Sequence, residues 1–398
     1  MKGLQLLAAS CAAVLVCATG TAAGAAQPSL DSIRVAVVKD DPQVTLQIFG
    51  RFRMFALQTG HPVQEGPRLQ SVAVRGVPQG LALGEQVLPL FGVRIEPARD
   101  AAINVNGRRL RGALEIVRQK DLTLLVINHV ALEDYLRGVV SKEAPDYWPS
   151  EALKAIAIAA RTYAIYQRFT KASDPYDVSG NVMSQDYGGR ASEKLTTTRA
   201  VQATAGLVVL YGQQMFPTFY HSTCGGMTEH ARVMGSYDLP PLRGGVSCTL
   251  CAASPFFSWQ RRLSKADVAW ALHQSPYGSL GPIQSIQVTQ RTASGRAQEI
   301  AVTGALRTVR LTGYDFRALF GFDQIRSPLF TIVPLADSFI LEGHGWGHGV
   351  GLCQWGAAEL ARRGFSATEI LSFYYPHVNV LSLRELSGKS INVIGGTP

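Results

Sequence analysis

Two short segments of the chain combine side chains that bind metals. YHSTCGG holds His221 and Cys224, and CTLC holds Cys248 and Cys251. Zinc takes nitrogen and sulfur ligands in a tetrahedron, usually from two close pairs on separate loops. We therefore expect these four side chains to hold a structural zinc ion. Disulfides and simple burial stay open as alternatives, and Cys353 is expected to be a buried free thiol.

One carboxylate stands where a general acid would be useful. In VVSKEAP, Glu143 closes a predicted helix, whose C-terminus disfavours an anion, and Tyr147 and Trp148 follow it. Partial desolvation there would raise its pKa and keep it protonated near neutrality. Arg161, in the middle of an Ala/Ile-rich helix, would pair with Glu143 or clamp a substrate. The alternatives are a solvated glutamate and an arginine whose head group reaches solvent.

A glycine-rich segment, GHGWGHGVGLCQWGA, carries polar and aromatic side chains at close spacing. With so many glycines it is not a helix, so the four-residue spacing of its histidines does not indicate a helical zinc site. Aromatic plates with a few polar groups suit a sugar, whose ring faces are apolar and whose rim carries hydroxyls. The alternative is a glycine-rich turn with structural histidines. The cleft residues of this segment are His344, Trp346, His348, Gln354 and Trp355.

The hydrophobic patterns that must position these groups change along the chain. Up to about residue 125, short alternating runs separated by turn signals predict strands. Helical patterns follow, and the one that opens near Ser150 repeats apolar residues through Tyr163, as a core helix does. The fold class is therefore α+β, a mixed catalytic domain with an N-terminal β-rich extension. The expected divisions are 1–26 (signal peptide), 27–125 (β-rich region), 126–385 (catalytic domain) and 386–398 (tail).

The N-terminus and the net charge predict an exported protein. Residues 1–26 combine Lys2, an apolar run and small residues before Gln27, which is typical of a cleaved secretory signal. Without Lys2 the chain of 398 residues would carry 37 basic and 29 acidic side chains, a net charge of +8. Such a protein is attracted to anionic envelope polymers. We expect a secreted or periplasmic location, no stable membrane insertion after signal removal, and no nucleic-acid partner, because dense basic runs are missing.

Three blocks of the sequence resemble the SpoIID/LytB family of sporulation and cell-wall proteins. They are LEDYLRGVVSKEAP with PSEALKAIAIAARTYA, then FYHSTCGG, and then GHGWGHGVGLCQWGA with GFSATEILSFYYP. They occur in the family's order and span roughly residues 126 to 380. Together they are highly specific, whereas the N-terminal region is less diagnostic.

The resemblance implies an exported lytic transglycosylase that acts on peptidoglycan glycan strands from which the stem peptides have been removed. Such an enzyme cleaves the β-1,4 bond from N-acetylmuramic acid to N-acetylglucosamine and leaves a 1,6-anhydro end. The family's catalytic glutamate matches Glu143, and its helix arginine matches Arg161. Some members bind zinc through the histidine and cysteines of the region around His221, although many relatives have serine where Cys224 stands. The residues that we expect to bind sugar are Trp148, Tyr163, His344, Trp346, His348 and Gln354.

The number of acids separates the possible reactions. A glycoside hydrolase uses two carboxylates, for which Glu342 is the second candidate. A lytic transglycosylase can use Glu143 alone, because the C6 hydroxyl of the substrate attacks the anomeric carbon. A third possibility, implied by the LytB branch, is a non-catalytic glycan-binding protein that enhances a cell-wall amidase.

Overall fold

The computed structural model describes residues 30–181, 184–386 and 392–394, and the predicted signal peptide lies outside them. The N-terminal region is built from strands, as the alternating pattern predicted. They are β1 (Ser32–Asp41), β2 (Gln43–Phe49), β3 (Phe52–Ala56), β4 (Pro62–Gly66), β5 (Leu69–Val77), β6 (Gly80–Leu83), β7 (Gln86–Leu88), β8 (Gly92–Pro97), β9 (Ala102–Val105), β10 (Arg108–Leu110), β11 (Ala113–Arg118) and β12 (Leu124–Ala131).

These strands form two mainly antiparallel sheets that share a core. One sheet has the order β1-β12-β11-β8-β3-β4, and β13 (Val178–Ser179) adds to it parallel to β1. The other has the order β10-β9-β2-β5-β6-β7. Inward-facing residues such as Val35, Leu46 and Ile116 have no exposed surface. Because successive side chains of a strand point to opposite faces, their alternation fixes which face is buried.

Strand β12 leads directly into the helical part of the chain. The helices are α1 (Leu132–Glu143), α2 (Ser150–Thr170), α3 (Leu195–Ala203), α4 (Lys265–His273), α5 (Gly313–Phe320), α6 (Gln354–Arg362) and α7 (Ala367–Tyr374). Every residue of α2 from Ala155 to Gln167 is buried. Its small side chains let α1, α3, α6 and α7 pack against it. Helix α2 begins at Ser150, where the sequence pattern predicted it to open, and Pro149 is its N-cap residue.

The rest of the chain completes this core and adds a second one. Its strands are β14 (Leu207–Tyr211), β15 (Gln214–Met215), β16 (Tyr220–His221), β17 (Gly226–Met227), β18 (Ser247–Cys248), β19 (Ser258–Ser264), β20 (Ile283–Arg291), β21 (Ala297–Gly304), β22 (Thr308–Thr312), β23 (Phe330–Pro334), β24 (Ser338–His344), β25 (Leu352–Cys353), β26 (Val378–Ser382) and β27 (Asn392–Val393). Strands β19 to β24 form two antiparallel three-stranded sheets, and with α4 and α5 they enclose a separate apolar cluster that includes Trp259 and Phe316.

This second core is entered and left at adjacent points. Ser258 at the start of β19 pairs with His344 at the end of β24. The second core therefore lies, along the chain, between the cysteine-bearing segment and the glycine-rich segment. Its last strand, β24, ends at His344, where the glycine-rich segment begins. The whole is a mixed α+β fold, which confirms the predicted class. Within the described residues, no helix has both the length and the apolar character needed to cross a bilayer.

Candidate functional site

Glu143 is the last residue of α1, and its carboxylate is held from two sides. The helix stops there because Ala144 is extended (φ −141°) ahead of Pro145, as the residue before a proline prefers. The backbone N–H of Asp186 donates to Oε1 at 3.0 Å. The side-chain amide of Gln354, the first residue of α6, donates to Oε2 at 3.2 Å. Three segments far apart in sequence thus meet at one carboxylate.

The surroundings of Glu143 favour its protonated form. Burial raises its pKa from 4.5 to about 7, and the nearby charge of Asp186 adds to the rise. The two hydrogen bonds and the ammonium of Lys142 act in the opposite direction. With a pKa near neutrality both forms are populated, so the group can donate a proton and later accept one.

Buried Tyr135, half-buried Tyr220 and Gln185 form a hydrogen-bonded chain near Glu143. The Tyr135 hydroxyl donates to Gln185 Oε1 at 2.9 Å, and Gln185 Nε2 donates to the Tyr220 hydroxyl at 3.0 Å. Burial, together with the charge of Glu143, raises the pKa of both tyrosines well above 10. They therefore stay neutral. Gln185 and Asp186 come from the loop between β13 and α3, which was not among the predicted site residues.

Arg161 does not reach Glu143, which corrects the predicted pairing. Its guanidinium is fully buried and makes a bidentate ion pair with Glu133 in the first turn of α1, with both N···O distances at 2.8 Å. It also donates to the carbonyl oxygens of Val201 and Leu207 at 3.2 Å. A guanidinium whose donors are used in this way ties α1, α2 and α3 together and has no free face for a sugar.

The loop between α1 and α2 buries one of its two aromatic residues and exposes the other. Trp148 is only 4% exposed and packs edge to face on Trp355, with ring centroids 5.3 Å apart. It therefore presents no plate to a substrate, contrary to the prediction. Tyr147 is 75% exposed, four residues after Glu143. The contact between Trp148 and Trp355 joins this loop to α6, which positions Gln354.

The glycine-rich segment turns one histidine inward and one outward. His348 lies 5.5 Å from the His221 ring, and burial with the charges of Arg317 and Arg296 lowers the pKa of His348 to about 3. It is thus neutral and unsuited to proton transfer near pH 7. His344 is exposed and contacts the Phe257 ring. Of the predicted sugar-binding residues of this segment, Gln354 is the one that contacts Glu143.

Tyr163 lines a separate cavity along α2. The cavity has a volume of about 310 Å³, and one wall is the helix face of Tyr163, Gln167 and Lys171. Phe219 and Tyr237 close it from the other side. The helix spacing of three or four residues places the polar side chains of α2 in one row. Tyr163 is thus a buried residue of the core whose ring also borders this cavity.

Four cysteine thiols form a buried cluster, and Cys353 is a member where His221 was expected. The sulfur atoms of Cys224, Cys248, Cys251 and Cys353 all lie within 4.8 Å of one another. All four are free thiols. His221 instead points Nδ1 at the carbonyl oxygen of Val350, 3.1 Å away, and stays outside the cluster. Cys353 is a buried free thiol, as predicted, and the structure adds that it lies beside three other thiols.

Strand pairing explains why Cys353, and not His221, joins the cluster. Strand β16 runs parallel to β25, in a register that sets His221 beside Cys353. The backbone N–H of Cys224, in the turn after β16, donates to the Cys353 sulfur at 3.3 Å. Strand β17 pairs with β18 and brings in Cys248. Sequence spacing gave no hint of this long-range contact.

The donor set suits a tetrahedral metal site. Zinc–sulfur bonds of about 2.3 Å require sulfur–sulfur distances near 3.8 Å, and Cys224 and Cys251 are 3.4 Å apart. Hydrogen bonds from Cys224 and the other neighbouring thiols lower the pKa of Cys251. Burial raises the pKa of Cys353. Four crowded, dry sulfur atoms without a disulfide are what a closed structural site provides.

Comparison with known proteins gives matches over most of the chain. The model of the Stage II sporulation protein family, SpoIID, matches residues 120–211, which include α1 and α2. A domain of unknown function, DUF8618, matches residues 251–351, which include the second core.

Individual relatives extend this similarity. An uncharacterized protein of Brachyspira hyodysenteriae is 30% identical over 89% of this chain and 94% of its own length. A Stage II sporulation protein D of Bacillus amyloliquefaciens is 27% identical over 76% of this chain and 91% of its own length. An amidase enhancer of Bacillus subtilis is 27% identical over 62% of this chain and 40% of its own length. On the strength of the family model and of relatives matched along nearly their full length, the chain belongs to the SpoIID family.

Proposed function

We propose that this protein is an exported lytic transglycosylase that cleaves the glycan strands of peptidoglycan. The observation that carries the proposal is the carboxyl of Glu143, partly buried, with a pKa of about 7 and held between Asp186 N–H and the Gln354 amide. The names of the related Bacillus proteins, a Stage II sporulation protein D and an amidase enhancer, point to sporulation and to an amidase. Both fit a role of this chain in the cell wall.

One carboxyl group can perform both halves of the reaction. Protonated Glu143 gives its proton to the glycosidic oxygen as the bond from C1 breaks. The resulting carboxylate takes the proton of the C6 hydroxyl, whose oxygen bonds to C1 and closes the 1,6-anhydro ring. No water enters, and the acid ends in its starting form.

The position of Glu342 argues against a hydrolase that uses it as the second acid, and Asp186 is the acid whose charge reaches Glu143. Glu342 lies on β24, is exposed, and accepts a hydrogen bond from Gln260. The acid whose charge acts on Glu143 is Asp186, and its carboxylate is 3.3 Å from Lys142 Nζ. If Asp186 activated a water, the product would be a reducing end, one water heavier than the anhydro sugar.

The test is the mass of the product from peptide-free glycan strands. Wild type should release anhydro-ended fragments without any partner protein, and Glu143→Gln should release none. Asp186→Asn should still yield the anhydro product. Reducing ends would indicate a hydrolase. Lack of product unless an amidase is present would favour the second candidate, a non-catalytic enhancer, for which the amidase-enhancer relative is the supporting observation.

We also propose a structural zinc ion in the four-cysteine cluster. Cys224, Cys248, Cys251 and Cys353 would supply all four ligands, which leaves no open position for substrate. When bound, the ion would join the turn after β16 to the start of α6. Gln354 directly follows Cys353, so the same cross-link would steady the amide that contacts Glu143.

A further inference from the structure

Arg326, in the loop between α5 and β23, is stacked on two aromatic rings, one of them in the glycine-rich segment. The Arg326 guanidinium carbon lies 5.3 Å from the Trp346 ring centroid and 5.5 Å from that of Phe256. The two rings meet edge to face, 4.5 Å apart, at an angle of 81°. All three side chains are partly exposed. The stack therefore holds the planar cation at the surface, in a defined orientation.

The backbone fixes the same corner. The carbonyl oxygen of Arg326 accepts from the Gly347 N–H at 2.9 Å and from Arg317 Nη2 at 2.7 Å. Trp346 is bridged to Thr223 in both directions, at 3.0 and 2.8 Å. Gly347 has φ +115°, and a Cβ there would lie 2.7 Å from His221 Cβ, so the turn accepts only glycine. Rigidity of this kind lowers the entropy cost of binding a ligand.

The charge of Arg326 has no counter-ion among the described residues. No carboxylate lies within ion-pair distance of it, whereas Arg317 and Arg296 add positive charge behind the same segment, as the lowered pKa of His348 records. Glu229, the acid near Arg296, is buried and accepts from hydroxyl groups. Asp323, three residues before Arg326, is exposed and its charge acts on Arg317, so among the described residues Arg326 is left without an ion pair.

We propose that the Arg326–Trp346–Phe256 corner binds a carboxylate-bearing sugar. The guanidinium fork pairs with the carboxylate through two hydrogen bonds, and an aromatic ring covers the sugar face. This inference rests on the proposed function, since in a peptidoglycan strand the group in question is the lactyl carboxylate of muramic acid, which is free once its peptide is removed. Trp346 of the corner and Gln354, which contacts Glu143, lie on the same segment of the chain, eight residues apart.

The test is equilibrium binding to the catalytically silent Glu143→Gln protein, which separates recognition from cleavage. The probes are soluble peptide-free glycan oligosaccharides, with the carboxylates either intact or reduced to alcohols. A further Arg326→Gln change should weaken binding of the intact oligosaccharides about 10-fold or more, the value of a charge-assisted hydrogen bond. It should leave the affinity for reduced oligosaccharides unchanged. Arg326→Lys, which keeps the charge but loses the fork, should be intermediate.

The matched control is Arg75→Gln, which removes the same charge from exposed β5. Equal loss for intact and reduced oligosaccharides, or no loss for either, would overturn the proposal. Loss of affinity for poly(glycerol phosphate) alone would also overturn it, in favour of a phosphate site. If the loss of binding depends on the carboxylate but the parent protein, with Glu143 intact, releases no anhydro sugar, this site is kept and the lytic reaction is rejected.

Discussion

Replacement of Glu143 by glutamine should stabilise the protein while abolishing its activity. The side chain keeps its size but loses its ionisation. Its amide oxygen can still accept from Asp186 N–H, and the Gln354 amide can turn its own oxygen toward the new NH₂ group. The substitution thus removes the cost of a desolvated carboxylate with little loss of hydrogen bonding.

The magnitude follows from the pKa of Glu143, which is 4.5 in the unfolded chain and about 7 in the native one. At about 1.4 kcal/mol for each factor of ten, this difference corresponds to about 3 kcal/mol. Because the native pKa is the higher one, the native state binds more protons between these values. Stability of the wild type therefore falls as the pH rises through this window.

Urea unfolding of both proteins at several pH values measures this effect. Glu143→Gln and wild type should have nearly equal free energies of unfolding at about pH 4, where Glu143 is mostly protonated in both the native and the unfolded wild type. The variant should be about 3 kcal/mol more stable at about pH 8. Glu342→Gln, at an exposed position, is the control and should change stability little. A difference between Glu143→Gln and wild type that stays constant from pH 4 to 8 would refute the reasoning.

Further predictions concern the metal and the buried ion pair. Cys353→Ser should lower the zinc content of the purified protein, measured by elemental analysis, whereas His221→Ala should retain it; the reverse result would restore the histidine as a ligand. Glu133→Gln should cost about 3 kcal/mol of stability, because it leaves the buried Arg161 guanidinium without its carboxylate. If Arg161 acts only on the fold, the alkaline limit of activity near pH 7 should stay in place in that variant, and a displaced limit would link the pair to Glu143.

Local features of the fold were predictable from the sequence, because they depend on neighbouring residues. The end of α1 follows from Pro145, and the buried length of α2 follows from its run of alanine and isoleucine. Alternating apolar residues predicted the N-terminal strands. Such periodic signals need no knowledge of what an element packs against.

The partners of the site residues were not predictable in the same way. Arg161 looked like a partner for Glu143. The packing of α1 against α2 instead sets Arg161 beside Glu133, which precedes Glu143 by ten residues on α1. Cys353 joined the thiol cluster through a parallel strand pair that spacing does not reveal. One signal was present: the predicted mature chain holds an even set of four cysteines, which a three-cysteine site with histidine leaves incomplete.

The arrangement links chemistry and scaffold through one short stretch of chain. Arg326 stacks on Trp346 at its start, the thiol of Cys353 completes the cluster near its end, and Gln354 donates to Glu143 immediately afterwards. The proposed glycan contact, the proposed cross-link and the support of the acid thus depend on the nine residues from Trp346 to Gln354, whose glycines have positive φ. Since these contacts share one backbone, a change that displaces the segment should affect all of them together, and separating them requires the side-chain substitutions described above rather than changes at its glycines.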